Sequence, residues 1–414
     1  MTSDKTVRLL DLCDLITTQV DPRTRGNDVY VGLEHVVSGR FRRTTAGIAS
    51  EVQSAKYAFQ PGDVLYGKLR PYLDKAVLAD DSGICTTELL VLRPKDGVDP
   101  RFLIGVVHMP GFVEHAVAGT TGVQHPRTSW NHISEFEVPE FTSDERTKIA
   151  NLLWKVHDGI IASEAVISAA TELKRAAMRT LFTGGLRCEA HKETEIGPVP
   201  RSWDVVPLGA HHSVVSGGTP SRTNPTYWTG GTIPWVKTTE VDYCVILETE
   251  EHITELGLQE SAAKLLPPGT VLLAMYGQGV TRGRVAILGI EAACNQACAA
   301  IRPSDAMIDP KYLYHFFSYR YEEIRHLAHG GQQQNLNLDI VRELPIAFPT
   351  EKGEQRDIVA ILDAIDRKIE VHGTKRKVLE KLFNVVLQGL VSGEIDLANL
   401  DFSGLQQLPA EVEA

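Results

Sequence analysis

The sequence predicts a mixed α/β (α+β) chain made as a tandem repeat. Two globular segments are each followed by one long helix, and the two helices pair as an antiparallel coiled coil, giving a pseudo-twofold internal repeat. Three observations predict it. Residues 145–184 and 354–393 match at a constant offset of 209, with Glu145 over Glu354, Ile149 over Ile358, Ile160 over Ile369, Leu173 over Leu382, Leu181 over Leu390 and Gly184 over Gly393. An offset that needs no gap over such a length marks an internal duplication. Both copies also carry a heptad seam: Ile149, Leu153, Val156, Ile160, Ile167, Ala170, Ala177 and Leu181 in the first, then Ile358, Leu362, Ile365, Ile369, Leu379, Phe383, Val386 and Leu390 in the second. Sustained seven-residue recurrence is the signature of a coiled coil. Outside the helices, turn-and-strand phrases recur. Pro61-Gly62-Asp63-Val64-Leu65 returns as Pro268-Gly269-Thr270-Val271-Leu272, and Asp99-Pro100-Arg101-Phe102-Leu103 as Asp309-Pro310-Lys311-Tyr312-Leu313.

In chain order, residues 1–141 form the first globule, with strands at Val29-Tyr30-Val31, Val64-Leu65-Tyr66 and Leu89-Leu90-Val91-Leu92 set between turn clusters. One helix is expected from Arg101 to about His115, followed by a Gly/Thr loop from Gly119 to Arg127. Residues 142–187 hold the first long helix, opened by a capping box at Thr142-Ser143-Asp144-Glu145 and closed at Gly184-Gly185. Residues 188–348 hold the second globule, entered through a linker over 188–200, and 349–397 hold the second long helix. An acidic tail covers 398–414. Ser163 and Lys174 interrupt one seam, His372 and Arg376 the other. Polar seam residues fix register or mark where partner helices dock.

Composition narrows the function. Hydrophobic residues make up 43% and charged residues 23%, as in a soluble globular protein. No run is long and apolar enough for a membrane span, and the first residues lack a signal-peptide layout. Six scattered cysteines fit a reducing cytoplasm better than a disulfide framework. The net charge of −11 gives no general attraction to nucleic acid, and only residues 142–187 are net positive, at +2. DNA binding would therefore use local patches, with basic surface also supplied by partners.

The enzyme motifs are weak. Asn224-Pro225-Thr226-Tyr227 has Thr where an adenine methyltransferase signature has Pro, so it reads as a proline turn. Gly277-Gln278-Gly279 follows a strand-like run, but Arg284-Val285-Ala286-Ile287-Leu288 after it is another strand, which predicts a hairpin and not a dinucleotide loop. Cys294 and Cys298 have no second ligand pair, and Cys188, His191, His211 and His212 lack zinc-finger spacing, so no metal site is expected. What remains is polar and basic loop chemistry. Tyr66-Gly67-Lys68-Leu69-Arg70-Pro71-Tyr72 ends a strand in the first globule, with the segment from Tyr276 to Arg284 as its expected counterpart. Four consecutive amides, Gln332, Gln333, Gln334 and Asn335, follow two glycines and suit base-edge reading.

At Glu195-Ile196-Gly197-Pro198-Val199-Pro200-Arg201-Ser202-Trp203, and again at Ser216-Gly217-Gly218-Thr219-Pro220, the chain resembles the specificity (S) subunits of type I restriction–modification systems. Leu181-Phe182-Thr183-Gly184-Gly185-Leu186, Glu354-Gln355 with Ile358, and Leu390 with Gly393-Glu394-Ile395 carry the same likeness. The resemblance implies two target recognition domains, each reading half of a bipartite, asymmetric site in double-stranded DNA. The paired helices would set the gap and dock two methyltransferase subunits, and a motor-nuclease subunit would complete the restriction complex. No catalysis is implied for this chain. S-adenosylmethionine, Mg and ATP are expected only on the partner subunits. The DNA-contacting candidates are Arg23, Arg25, Lys68, Arg70, Tyr72, Gln124 and Arg127 in the first globule. In the second they are Thr219, Arg222, Lys237, Tyr276, Gln278, Thr281 and Arg282, with Gln332 to Asn335. Two other readings remain open: a coiled-coil protein-interaction scaffold, or the specificity component of a related DNA-modification or defence system.

Overall fold

The computed structural model describes residues 5–277, 280–303, 307–327 and 335–392. The chain divides into two compact units, Met1–Ala165 with His372–Ala414, and Val166–Val371. Each unit therefore contains one globule and half of each long helix. The division falls within the helices and not at the globule boundaries that the sequence suggests.

In the first unit a four-stranded sheet has the order Cys13–Ile16, Leu89–Pro94, Val64–Gly67, Ala76–Leu78. Beside it a five-stranded sheet centres on Gly83–Cys85, which pairs in parallel with Val29–Val31 and antiparallel with Lys56–Phe59. The second unit repeats the plan. Its larger sheet runs Val214–Ser216, Cys298–Ile301, Val271–Ala274, Val285–Leu288, Val245–Ile246, and a smaller one pairs Ile233–Val236 in parallel with Ala293–Cys294. The run Val271-Leu272-Leu273-Ala274 is apolar throughout because the strand is buried on both faces. Val271 and Leu273 join one core cluster, Leu272 and Ala274 another. The hairpin expected around Gly277 is present, Val271–Ala274 against Val285–Leu288.

The ladders correct one correspondence. Leu90 faces Tyr66, and Ala299, 209 positions after Leu90, faces Leu273. Tyr66 is thus the counterpart of Leu273, and not of Tyr276, which lies beyond the strand and is 40% exposed, whereas Tyr66 is buried. The shared Tyr-Gly spelling outweighed the register. A second correction concerns the helix after Asp99. Two helices stand there, Pro100–Val107 and Pro110–Ala118. Pro110 has no N–H to donate and pushes Met109 into extended geometry, so the first helix stops and a new one starts. The expected linker over 188–200 is instead a hairpin, His191–Thr194 against Gly197–Pro200, turned at Gly197 with φ +90°.

The long helices run Ser143–Gly184 and Lys352–Ser392. The first opens on the capping box, with the Thr142 amide donating to Glu145 Oε2 at 2.8 Å and the Glu145 amide to Thr142 Oγ1 at 3.3 Å. It closes at Gly185 in the left-handed region, whose amide reaches the Leu181 carbonyl at 3.0 Å. Within each unit the helix halves pair antiparallel. In the first unit, Arg376 Nη1 lies 3.9 Å from Glu164, and a Cβ on Gly159 would meet Leu379 at 3.0 Å. In the second, Lys174 lies 2.6 Å from Asp366.

The seam has a second partner that heptads do not reveal. Ile149, Leu153, Val156 and Ile160 join the first globule's core with Phe41, Phe102 and Phe112. Leu181, Ile358 and Leu362 join the second's with Trp203, Tyr312 and Phe348. At about 1.5–3 kcal/mol per buried aliphatic side chain, this burial outweighs any seam ion pair. Ile167, Ile365 and Ile369, nearer the helix middles, are only half-buried.

Candidate nucleic-acid interface

The quoted motifs converge on one joint in the second unit. Trp203, fully buried, points its indole N–H at Glu354 Oε1 (3.4 Å), which also accepts from the Leu186 amide at 3.2 Å. The neighbouring Gln355 side chain accepts from the Asp309 amide (2.9 Å) and donates to the Met307 and Pro349 carbonyls (2.7 and 2.8 Å). These residues tie the end of one long helix, the start of the other and the globule together. Their role here is structural.

The candidate contact residues lie on loops around each sheet. In the first unit, residues 68–75 and 119–128 are zipped together. The Thr128 amide donates to the Lys68 carbonyl, the Arg70 amide to the Pro126 carbonyl, and Leu69 bridges Arg127. Lys68, Arg70, Tyr72, Gln124 and Arg127 thus share one surface. Arg70 is left-handed (φ 50°), which turns the chain into Pro71, and its guanidinium reaches the Gln124 carbonyl at 3.4 Å. Tyr72 is 55% exposed. Arg127 is committed elsewhere: its fork grips Glu88 (3.0 and 3.1 Å) and its Nη1 the His125 carbonyl. A guanidinium so occupied holds the loop and has no fork to spare. Arg23 and Arg25 sit on a separate turn, ion-paired with Asp21 (2.7 Å) and Asp28 (3.6 Å).

In the second unit, residues 216–223 form a strap across the smaller sheet. The Gly218 amide donates to the Cys294 carbonyl, and Trp235 Nε1 donates to the Gly218 carbonyl, both at 2.9 Å. Only glycine permits this. A Cβ on Gly217 would fall 2.2 Å from the Cys294 oxygen, and one on Gly218 2.2 Å from the Ala262 carbonyl carbon. Gly218→Ala is therefore expected to lower stability by about 1–3 kcal/mol, read as a drop in the thermal midpoint of the purified chain; an unchanged midpoint would show that the strap is loose.

The strap delivers two side chains. Thr219 donates its hydroxyl to Gln296 Oε1. Arg222 lays its guanidinium 3.7 Å over Trp228 and 4.9 Å from Trp235, and pairs with Glu251 at 2.5 Å. Lys237 is held by Glu250 and, at 3.6 Å, by Glu251. Of the remaining candidates, Arg282 is buried and Thr281 packs over Gly277, where a Cβ would meet it at 2.8 Å. Asn335 is exposed. Gln278, Gln332, Gln333 and Gln334 lie outside the described residues. Gln296, Trp228 and Glu251 were not foreseen. The Ser216–Pro220 motif pointed at the strap, yet nothing in the sequence pointed at what it touches. Among the described residues no group of three or more His, Cys, Asp or Glu is placed to hold a metal ion, and no helix is long and apolar enough to cross a membrane.

A loop-decorated pair of sheets on each of two like units defines a class: a duplicated α/β module. Residues 200–381 match the family model described as type I restriction modification DNA specificity domain. Over that segment the chain is similar to type I restriction–modification specificity subunits. It is 32% identical over 208 residues to the type I restriction enzyme MjaIX specificity subunit of Methanocaldococcus jannaschii, spanning 49% of this chain and about half (47%) of that relative. To the putative MjaX specificity subunit of the same organism it is 21% identical, over 88% of this chain and 86% of the relative. In fold it is similar to the crystal structure of the type I restriction–modification S subunit from M. genitalium, with a TM-score of 0.67 at 15% identity over 94% of this chain and 96% of that one.

Proposed function

We propose that the chain is the non-catalytic DNA-recognition subunit of a type I restriction–modification complex, each globule reading one half of a bipartite, asymmetric site. The paired helices set the gap and dock two methyltransferase subunits. These carry the S-adenosylmethionine, and a motor-nuclease subunit brings Mg and ATP to the cytoplasmic complex. The observation that carries this reading is the duplication itself. The four-stranded sheet of the first unit recurs in strand order within the five-stranded sheet of the second, yet the loops carry different side chains, Arg127 where the other has Asn335. One plan with two chemistries suits a ligand with two different half-sites.

Mapping methylated bases in cells that make the assembled complex should give one motif with two specified halves and a fixed gap. A single contiguous motif overturns the proposal, and a complex without affinity for any duplex favours a scaffold. Inserting four residues near Ala169 lengthens that helix by about 6 Å, close to two base-pair steps. The gap is expected to change while both half-sites stay the same. A constant gap would remove the helices from the role of ruler.

A further inference from the structure

We infer that Arg222 and Gln296 form a base-reading head in the second unit, Arg222 addressing a guanine and Gln296 an adenine in one half-site. This assignment rests on the DNA-reading role proposed above and names the groups that carry it out in one unit.

Arg222 is restrained in every direction that matters for reading a base. The Trp228 indole, 3.7 Å below, sets the plane of the guanidinium. Trp228 is fixed in turn by its N–H bond to the Ser221 carbonyl (3.1 Å) and by edge contact with the buried Trp235 (5.1 Å, 89°). Rotation within the plane is stopped by the bond from Nη1 to Glu251 Oε2 at 2.5 Å. Glu251 is itself anchored, opposite Trp235 in the ladder. Among the described residues, Nη1 is the only guanidinium atom of Arg222 with a hydrogen-bond acceptor. The Nε–Nη2 edge is therefore open, and its two parallel donors match guanine O6 and N7.

Electrostatics favour a base over a phosphate. Glu251 cancels the charge of Arg222, and Glu250 and Glu251 together hold Lys237. A cation already neutralised adds little to the counterion-release affinity that phosphates provide. Its geometry, however, still discriminates.

Gln296 caps the turn between Ala293–Cys294 and Cys298–Ile301 and is exposed. The Thr219 hydroxyl takes one lone pair of its Oε1, leaving the other lone pair and both Nε2 hydrogens for a ligand. That donor–acceptor pair matches adenine N7 and N6. The turn is rigid, since the Asn295 amide donates to the Val236 carbonyl (3.0 Å) and Asn295 Oδ1 accepts from Thr238 (2.7 Å). Thr219 and Arg222 leave the same glycine-locked strap, so the two reading groups share one frame. By ladder register the first unit has Thr87 where the second has Gln296, too short to reach the same base edge.

The test is methylation mapping of the assembled complex with Arg222→Ala, Arg222→Lys and Gln296→Ala. Arg222→Ala should relax discrimination at one guanine of one half-site by about tenfold or more, with the other half-site unchanged. Arg222→Lys keeps the charge but loses the fork, and should relax the same position. Gln296→Ala should relax a different position, an adenine, in that half-site. A fixed motif unaltered by all three variants overturns the assignment alone, as does a uniform loss of methylation with Arg222→Lys that leaves every position as selective as before. An unaltered complex that marks no fixed motif overturns the DNA-reading role and this assignment with it.

Discussion

Gln355→Ala is expected to destabilise the second unit by about 3 kcal/mol, because the side chain is 1% exposed and satisfies three backbone groups at once. Alanine would strand the Asp309 amide and the Met307 and Pro349 carbonyls where water is scarce. Gln355→Glu should be no milder. It keeps an acceptor for Asp309, loses both donors, and places a charge beside two carbonyl oxygens. Hydrogen exchange followed by mass spectrometry separates this from general damage. Faster exchange is expected around residues 307–317 and 345–360, with the first unit protected as before. Equal deprotection of both units would show that the joint is not local to the second.

Acid should loosen the first unit through one buried histidine. His157 is buried beside Phe41, stacked at 4.5 Å, and its Nε2 accepts the Phe41 amide at 3.1 Å. Burial lowers its pKa from 6.5 to about 4. A depressed histidine pKa means the folded state prefers the neutral ring. Its contribution is complete above pH 6.5 and is lost as pH falls from there through about 4, amounting to at most about 3 kcal/mol. Protonation would also abolish the acceptor for Phe41. In the second unit burial lowers the His212 pKa in the same direction, and a further loss comes at lower pH. The hydrogen bond from His315, then that from Lys311, holds the Asp363 carboxyl down to about 2. That stabilisation is present above the ordinary carboxylate value and is lost as pH falls through about 2. Chemical denaturation at pH 7, 5.5 and 4.5 should show the first unit weakening as pH falls. His157→Gln, which can keep the acceptor without titrating, should flatten that dependence. An equally steep profile in the variant would remove His157 as the cause.

Repetition made the architecture legible, because an offset of 209 and a heptad seam survive in spelling even where loops diverge. The Glu145 capping box was equally visible, since its partners lie within three residues. Local spelling misled where the same letters stood in different registers, as at Tyr66 and Tyr276. It also missed the break at Pro110, where apolar residues continue on both sides. The candidate interface was legible as loops and a glycine motif, but not as contacts. Thr219 and Gln296 are 77 positions apart, and Arg222 and Glu251 are 29 apart. Only strand pairing brings them together, and no periodicity encodes it.

One pair of seam layers has a consequence for the ancestry of the chain. Lys174 meets Asp366 in one unit, and His157 lies beside Phe383 in the other, ring centres 6.4 Å apart. The 209 offset maps Lys174 onto Phe383 and Asp366 onto His157, so these are one position that has diverged into two chemistries. A protein made of two first halves would set a lysine against a buried imidazole. One made of two second halves would set a carboxylate against a phenyl ring. Either leaves an uncompensated charge in an apolar layer, which is costly. Each half therefore carries the partner that the seam residue of the other half needs.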